Sequence, residues 1–184
     1  MDNGVSSYRR FLNGDNSGLE EIVRDYKDGL VFYLNGYVNN LALSEELMQE
    51  VFFKLITKKP NFKENARFKT WLYAVARNTA LDYLRKQKRH THICYDDAEL
   101  LVEESDLQKQ YIAEENKIKL HNALKTLYKE YYQVLWLIYF ENFSNDEISR
   151  IMKKSPRQLK NLVYRAKSAL KSTLEREGFT YEDL

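Results

Sequence analysis

The chain has 184 residues, room for one or two small domains, and its 43% hydrophobic and 30% charged residues suit a globular rather than a disordered polypeptide. With 29 lysines and arginines against 27 acids the net charge is only +2, so a nucleic-acid partner must be signalled by local charge and not by the total. Six glycines and two prolines argue for an all-helical chain, one cysteine (Cys94) excludes an internal disulfide, and no apolar run reaches the roughly 20 residues of a membrane helix.

The first residues, MDNGVSSYRR, hold no apolar core of the kind a secretory signal needs, so a cytoplasmic protein is expected. Residues 1–17 are polar and punctuated by Gly4 and Gly14, which predicts a loose tail or a short first helix. From residue 18 to about 38, Leu19, Ile22, Val23, Tyr26, Leu30, Tyr33, Leu34 and Tyr37 recur at helical spacing, and Asn39 with Asn40 marks a turn. Ser44 is expected to open the next helix, with Glu45 and Glu46 in its positively polarised first turn. Leu47, Val51 and Leu55 form its inward stripe, flanked by Met48 and Phe52. Glu46, Gln49, Glu50 and Phe53 are left to point elsewhere, and Pro60 ends the element.

Residues 61–69 (NFKENARFK) form a polar loop carrying Phe62 and Phe68, with the cations Lys63, Arg67 and Lys69 and, just before it, Lys59. A helix is predicted from Thr70 to about Lys88, with Leu72, Val75, Ala76, Thr79 and Tyr83 inward. Trp71, Asn78 and Arg85 recur every seven residues near one stripe, and the helix runs out in RKQKRH. An aromatic-bearing basic loop followed by such a stripe has the composition for gripping single-stranded bases while contacting phosphates. The plainer alternative stays open from spacing alone: Trp71 in the core and the cations solvated.

His90, His92 and Cys94 form an H-x-H-x-C run, but a structural zinc site wants four ligands and only His121 remains elsewhere. No metal is expected, and the run reads as flexible linker. Residues 93–115 then change sign, with eight acids against Lys109 alone. This is a domain boundary, an acidic linker that would be held off DNA and could fold back on either basic domain.

The helical pattern resumes at Asn116 through Ile118, Leu120, Leu124 and Leu127, and residues 131–140 form a central core helix before a turn at Asn142 and Phe143. Ser144 with Glu147, and Ser155 with Gln158, have the spacing of two capping boxes, and Pro156 sits where a first helical residue tolerates a missing donor. The first of these helices would bury Ile148, Ile151 and Met152; the second would bury Leu159, Leu162, Val163, Ala166 and Leu170. At about 100° per residue, its opposite face holds Arg157, Lys160, Asn161, Tyr164, Ser168 and Lys171, with Arg165 on the flank. A short helix, a three-residue turn and a basic second helix make a helix-turn-helix, whose second helix would lie in a DNA major groove. Basic surface helices are common, yet residues 153–176 hold eight cations against Glu175 alone, and charge, caps and turn length agree. The final residues, from about 177, look like a frayed acidic tail.

These residues resemble a known family. Residues 44–55 (SEELMQEVFFKL) are similar to the region 2.2 signature of sigma factors, in which such a run contacts the clamp helices of RNA polymerase. Residues 62–85 resemble regions 2.3 and 2.4, and residues 141–167 (ENFSNDEISRIMKKSPRQLKNLVYRAK) resemble region 4.2. With no third domain between them, the chain resembles the extracytoplasmic-function (ECF) subfamily of the sigma-70 family over nearly everything from residue 18 to 175. The family's usual glycine in the turn is Lys153 here, and its usual Leu-Pro before the central helix is Leu127-Tyr128.

The resemblance implies an all-α fold of two small helical domains, a sigma region 2 bundle and a sigma region 4 helix-turn-helix, joined by an acidic linker. Its divisions would be a tail at 1–17, a region 2-like domain at 18–92, the linker at 93–115, a region 4-like domain at 116–177 and a tail at 178–184. Glu46, Leu47, Gln49, Glu50 and Phe53 would dock on core RNA polymerase. The −10 element would be met by Phe62, Lys63, Asn65, Arg67, Phe68, Lys69, Trp71, Arg77, Asn78 and Arg85, the loop holding a base flipped from the non-template strand. Arg157, Gln158, Lys160, Asn161 and Arg165 would read the −35 element as duplex. A major-groove helix distinguishes all four base pairs, whereas a melted strand is better read by pockets and stacking.

The implied partners are core RNA polymerase, promoter DNA and an anti-sigma factor, with no membrane insertion and no cofactor. No carboxylate pair, nucleophile–base pair or glycine-rich phosphate loop is present, so no enzyme is expected. Two rivals remain: a helix-turn-helix regulator acting on duplex operators without being a polymerase subunit, and a helical interaction bundle with no DNA role. Binding to core polymerase without DNA separates the sigma reading from the first; the second survives only if neither is bound.

Overall fold

A computed structural model describes residues 3–60, 62, 67–91 and 115–176, and among these every regular element is a helix. In order they are α1 (Asn3–Leu12), α2 (Ser17–Val38), α3 (Leu41–Lys58), α4 (Phe68–Thr91), α5 (Glu115–Lys125), α6 (Lys129–Tyr139), α7 (Asn145–Met152) and α8 (Pro156–Arg176). They form two compact units, the first built on α1–α4 and the second on α5, α6, α8 and most of α7. The acidic linker up to residue 114, His92, Cys94 and the tail from 177 lie outside the described residues.

In the first unit α2 is the hub, packing on α1, α3 and α4. Gly29 to Asn35 are buried without a break, the mark of a helix enclosed on all sides and not of a one-faced surface helix. Of the two readings of the first segment, loose tail or short helix, it is the helix that forms: α1 turns Tyr8 and Phe11 into the core. Close approach requires Gly18, since a Cβ there would collide with the backbone carbonyl of Ser7.

Asn39 closes α2 in the left-handed region (φ 49°), donating its N–H to the Asn35 carbonyl at 2.8 Å. Asn40 is extended, and its side chain accepts from the Leu43 N–H at 3.0 Å, so it is the N-cap of α3. The helix therefore begins at Leu41, ahead of the expected start at Ser44. Ser44 is a buried interior residue whose hydroxyl donates to the Asn40 carbonyl at 2.7 Å.

The second unit is organised on α6, where Tyr132 to Leu137 are buried in succession. The Tyr132 and Trp136 rings stack at 5.8 Å and 9°, the Trp136 and Phe140 rings at 4.2 Å and 5°. His121 of α5 meets the Trp136 ring edge at 5.5 Å. Burial, with help from Lys125, lowers the His121 imidazole to about 4, so it is held neutral.

Candidate nucleic-acid interface

In the second unit both capping boxes form. Ser144 N–H donates to Glu147 Oε2 at 2.9 Å and Glu147 N–H returns to Ser144 Oγ at 3.4 Å. Ser155 N–H donates to Gln158 Oε1 at 2.9 Å and Gln158 N–H to Ser155 Oγ at 3.3 Å. These bonds fix where α7 and α8 start, with Pro156 as the first residue of α8. The turn between them is made at Lys153, whose φ of 52° is the left-handed conformation usually given to glycine.

With its start fixed, α8 buries Leu159, Leu162, Ala166 and Leu170, while Val163 is half-buried. Arg157, Gln158, Lys160, Asn161 and Arg165 are all exposed on the remaining surface. Tyr164 stands among them at 77% exposure; the sequence placed it on this face but did not single it out. An open cleft of about 370 Å³ runs beside the helix, with Gln158, Asn161 and Arg165 on one side and Tyr128 and Tyr131 on the other. Lys154 lines it too and pairs with Glu130 at 3.1 Å. Lys167 leans over the Tyr139 ring at 5.8 Å, so part of the basic surplus is spent in packing.

In the first unit, Trp71 is half-buried in an aromatic group with ring separations of 5.5 Å to Phe62, 5.4 Å to Phe68 and 5.6 Å to Tyr8. Phe68 is 0% exposed, so it holds this group from below and offers no surface of its own. Phe62, Arg77 and Asn78 are half-buried, whereas Arg67 and Arg85 are exposed, and Arg85 pairs with Asp82 at 2.9 Å. Lys69 lies over Tyr73 at 5.8 Å. Lys63 and Asn65 lie outside the described residues. Tyr8 was not foreseen here: its hydroxyl donates to the Pro60 carbonyl at 2.8 Å, and burial pushes that hydroxyl up to about 12, keeping it a donor.

On α3, Glu46, Gln49 and Glu50 are exposed beside Phe53 at 62% and Ile56 at 43%, the latter also unforeseen. Leu47 is 2% exposed and belongs to the core beneath this face. Glu50 is bonded to Lys54 at 2.8 Å, and Lys54 also donates to Thr79 of α4 at 2.9 Å. Two surfaces rich in cations and one acidic, apolar-tipped strip thus sit on three helices.

Two family models match: Sigma-70 region 2 over residues 22–90 and Sigma-70 region 4 over residues 117–170. The ECF RNA polymerase sigma factor SigM of Bacillus subtilis (strain 168) is 28% identical over 158 residues, covering 86% of this chain and 96% of that protein. SigW of the same organism, also an ECF sigma factor, is 28% identical over 178 residues, 90% of this chain and 94% of that protein. The chain belongs to the sigma-70 family, in its extracytoplasmic-function group. The fold of this sigma factor is also that of RpoE from Bartonella quintana, solved in complex with the anti-sigma factor NepR. That structure has a TM-score of 0.63 at 21% identity, covering 85% of this chain and 96% of RpoE. CnrH, solved with the cytosolic domain of CnrY, gives 0.63 at 13% identity, covering 96% and 99%. As a sigma factor the chain directs RNA polymerase to promoters, which places core polymerase and promoter DNA as its partners. Among the described residues no helix is long and apolar enough to cross a membrane.

Proposed function

We propose that this sigma factor divides its work among three helical surfaces. Glu46, Gln49, Glu50 and Phe53 on α3 dock on core polymerase, with Leu47 supporting them from the core. The segment around Phe62 and the face of α4 carrying Trp71, Arg77, Asn78 and Arg85 meet the melted −10 strand, with Lys63, Asn65, Arg67 and Lys69 as phosphate partners and Phe68 as support. Arg157, Gln158, Lys160, Asn161 and Arg165 read the −35 duplex. In this division residues 18–92 act as the region 2-like domain, 93–115 as the linker and 116–177 as the region 4-like domain.

The observation that carries the reading is α8: one capping box of two reciprocal bonds fixes its start and an apolar underside sets its rotation, leaving five polar or cationic candidates on the solvent side. Such a helix can present donors to base edges and phosphates together. The complexes solved for RpoE and CnrH support an anti-sigma partner for this chain as well. The protein acts in the cytoplasm, performs no bond chemistry of its own and needs no cofactor.

In vitro transcription with core polymerase on a pool of random promoters tests the reading. Recovered start sites should share one −35 and one −10 sequence, and the protein should bind core polymerase without DNA. A protein that binds duplex DNA alone and ignores core polymerase would be an operator-binding regulator instead.

A further inference from the structure

α1 lies ahead of the stretch matched by the region 2 model, which begins at residue 22, yet its inner face is built into the aromatic group that the −10 reading uses. Tyr8 is 1% exposed and reaches both ends of the segment joining α3 to α4. Its hydroxyl holds the Pro60 carbonyl at 2.8 Å, and its ring lies 5.3 Å from Phe68 and 5.6 Å from Trp71. About one turn earlier, a Cβ on Gly4 would come within 2.5 Å of Phe68 Cδ1, so α1 lies directly against that ring. About one turn later, the Phe11 ring carries Lys59 Nζ at 5.3 Å. Three successive turns of one helix therefore touch Lys59 and Pro60 on one side and Phe68 and Trp71 on the other.

We propose that Tyr8 is a positioning residue for −10 recognition: its hydroxyl and ring fix Pro60 relative to Phe68, and so hold Phe62 and Trp71 at the spacing that receives a single-stranded base. The inference rests on the −10 role given to Phe62 and Trp71 above. A contact surface held in place before binding loses less freedom when the strand arrives. The ring supplies most of the burial, so removing the hydroxyl alone frees the Pro60 end without opening the core. Pro60 is half-buried, and water can replace the lost donor.

The test uses the full chain assembled with core polymerase, titrated separately with a fluorescent single-stranded −10 non-template oligonucleotide and with a −35 duplex. Tyr8→Phe should weaken binding of the −10 strand about fivefold, the worth of one hydrogen bond. The −35 duplex titration and the unfolding midpoint of the free chain should stay where they are. Equal weakening of both titrations with a lowered midpoint would overturn the proposal, because the hydroxyl would then serve only the fold. Unchanged −10 binding by Tyr8→Phe, with weakened binding by Phe62→Ala, would overturn it while leaving the −10 reading standing. If neither variant changes −10 binding, that reading fails and the proposal falls with it.

Discussion

Ser155 and Gln158 are bonded in both directions: the Gln158 carboxamide oxygen accepts from the Ser155 N–H at 2.9 Å while the Ser155 hydroxyl accepts from the Gln158 N–H at 3.3 Å. A residue aimed at DNA is thus also the cap of its own helix. Its oxygen already holds one bond, so its NH2 group is the freer half to face a base. A bidentate contact to adenine would require that oxygen to accept a second bond without leaving the cap. Gln158→Glu should keep the cap, since a carboxylate accepts the same bond and suits a helix N-terminus. The unfolding midpoint should barely move, while −35 discrimination falls by about 1 kcal/mol, the worth of one hydrogen bond, as the donor is lost. Thermal unfolding and binding to a set of −35 duplexes measure the two effects separately.

Glu50 makes its own forecast. It is exposed and tied to Lys54 at 2.8 Å, so Glu50→Lys places two like charges one turn apart at a local cost of about 0.2–0.5 kcal/mol. The fold should survive that. Affinity for core polymerase should drop tenfold or more, about 1.4 kcal/mol, because a docking carboxylate has become a cation. Co-elution with core polymerase, beside a circular dichroism spectrum of the free variant, checks both halves.

His121 sets an acid limit on the second unit. Its folded imidazole is held down at about 4, chiefly by burial, below the ordinary value of 6.5. The unfolded state therefore binds its proton first. Its contribution is in full force above pH 6.5 and is lost as pH falls from 6.5 toward 4, a penalty on the order of 3 kcal/mol. His121→Phe keeps a ring against Trp136, Phe140 and Tyr132 and removes the titration. Its unfolding midpoint should fall less steeply than the parent's across that window. Parallel curves would contradict the assignment.

Gly18→Ala should be costly for a residue outside any binding surface. The new methyl meets the Ser7 carbonyl where α1 crosses α2, and the backbone must shift, at a cost of roughly 1–3 kcal/mol. A denaturant melt of the full chain reads this directly, and an unchanged midpoint would mean the crossing is looser than described.

How much of this was legible in the sequence depended on whether a residue's chemistry acts locally. The two capping boxes were readable because Ser and Glu or Gln three apart satisfy each other within one turn. The burial of Ile148, Ile151, Leu159 and Ala166 followed from the helical period. The start of α3 was misplaced because Asn40 and Ser44 are both good caps, and only packing decided that Ser44 is interior. Leu47, which the helical period already placed inward, and Phe68 were grouped with contact residues because a motif lists neighbours in sequence without saying which of them turn inward. Tyr8 was invisible as a partner of Pro60, since nothing local links residues 52 apart. Lys153 took the left-handed turn without glycine, which propensity alone would not have chosen.

The most direct test of the central claim, that α8 reads the −35 sequence while the first unit reads the −10, is promoter transcription with matched templates. Core polymerase carrying the parent chain, Arg157→Ala or Lys160→Ala is run on promoters scrambled at the −35 or at the −10 element. The variants should lose ~1–3 kcal/mol of preference for the intact −35 element and keep their full dependence on the −10 element. A loss uniform across all −35 sequences, or one that follows the −10 element instead, would contradict it.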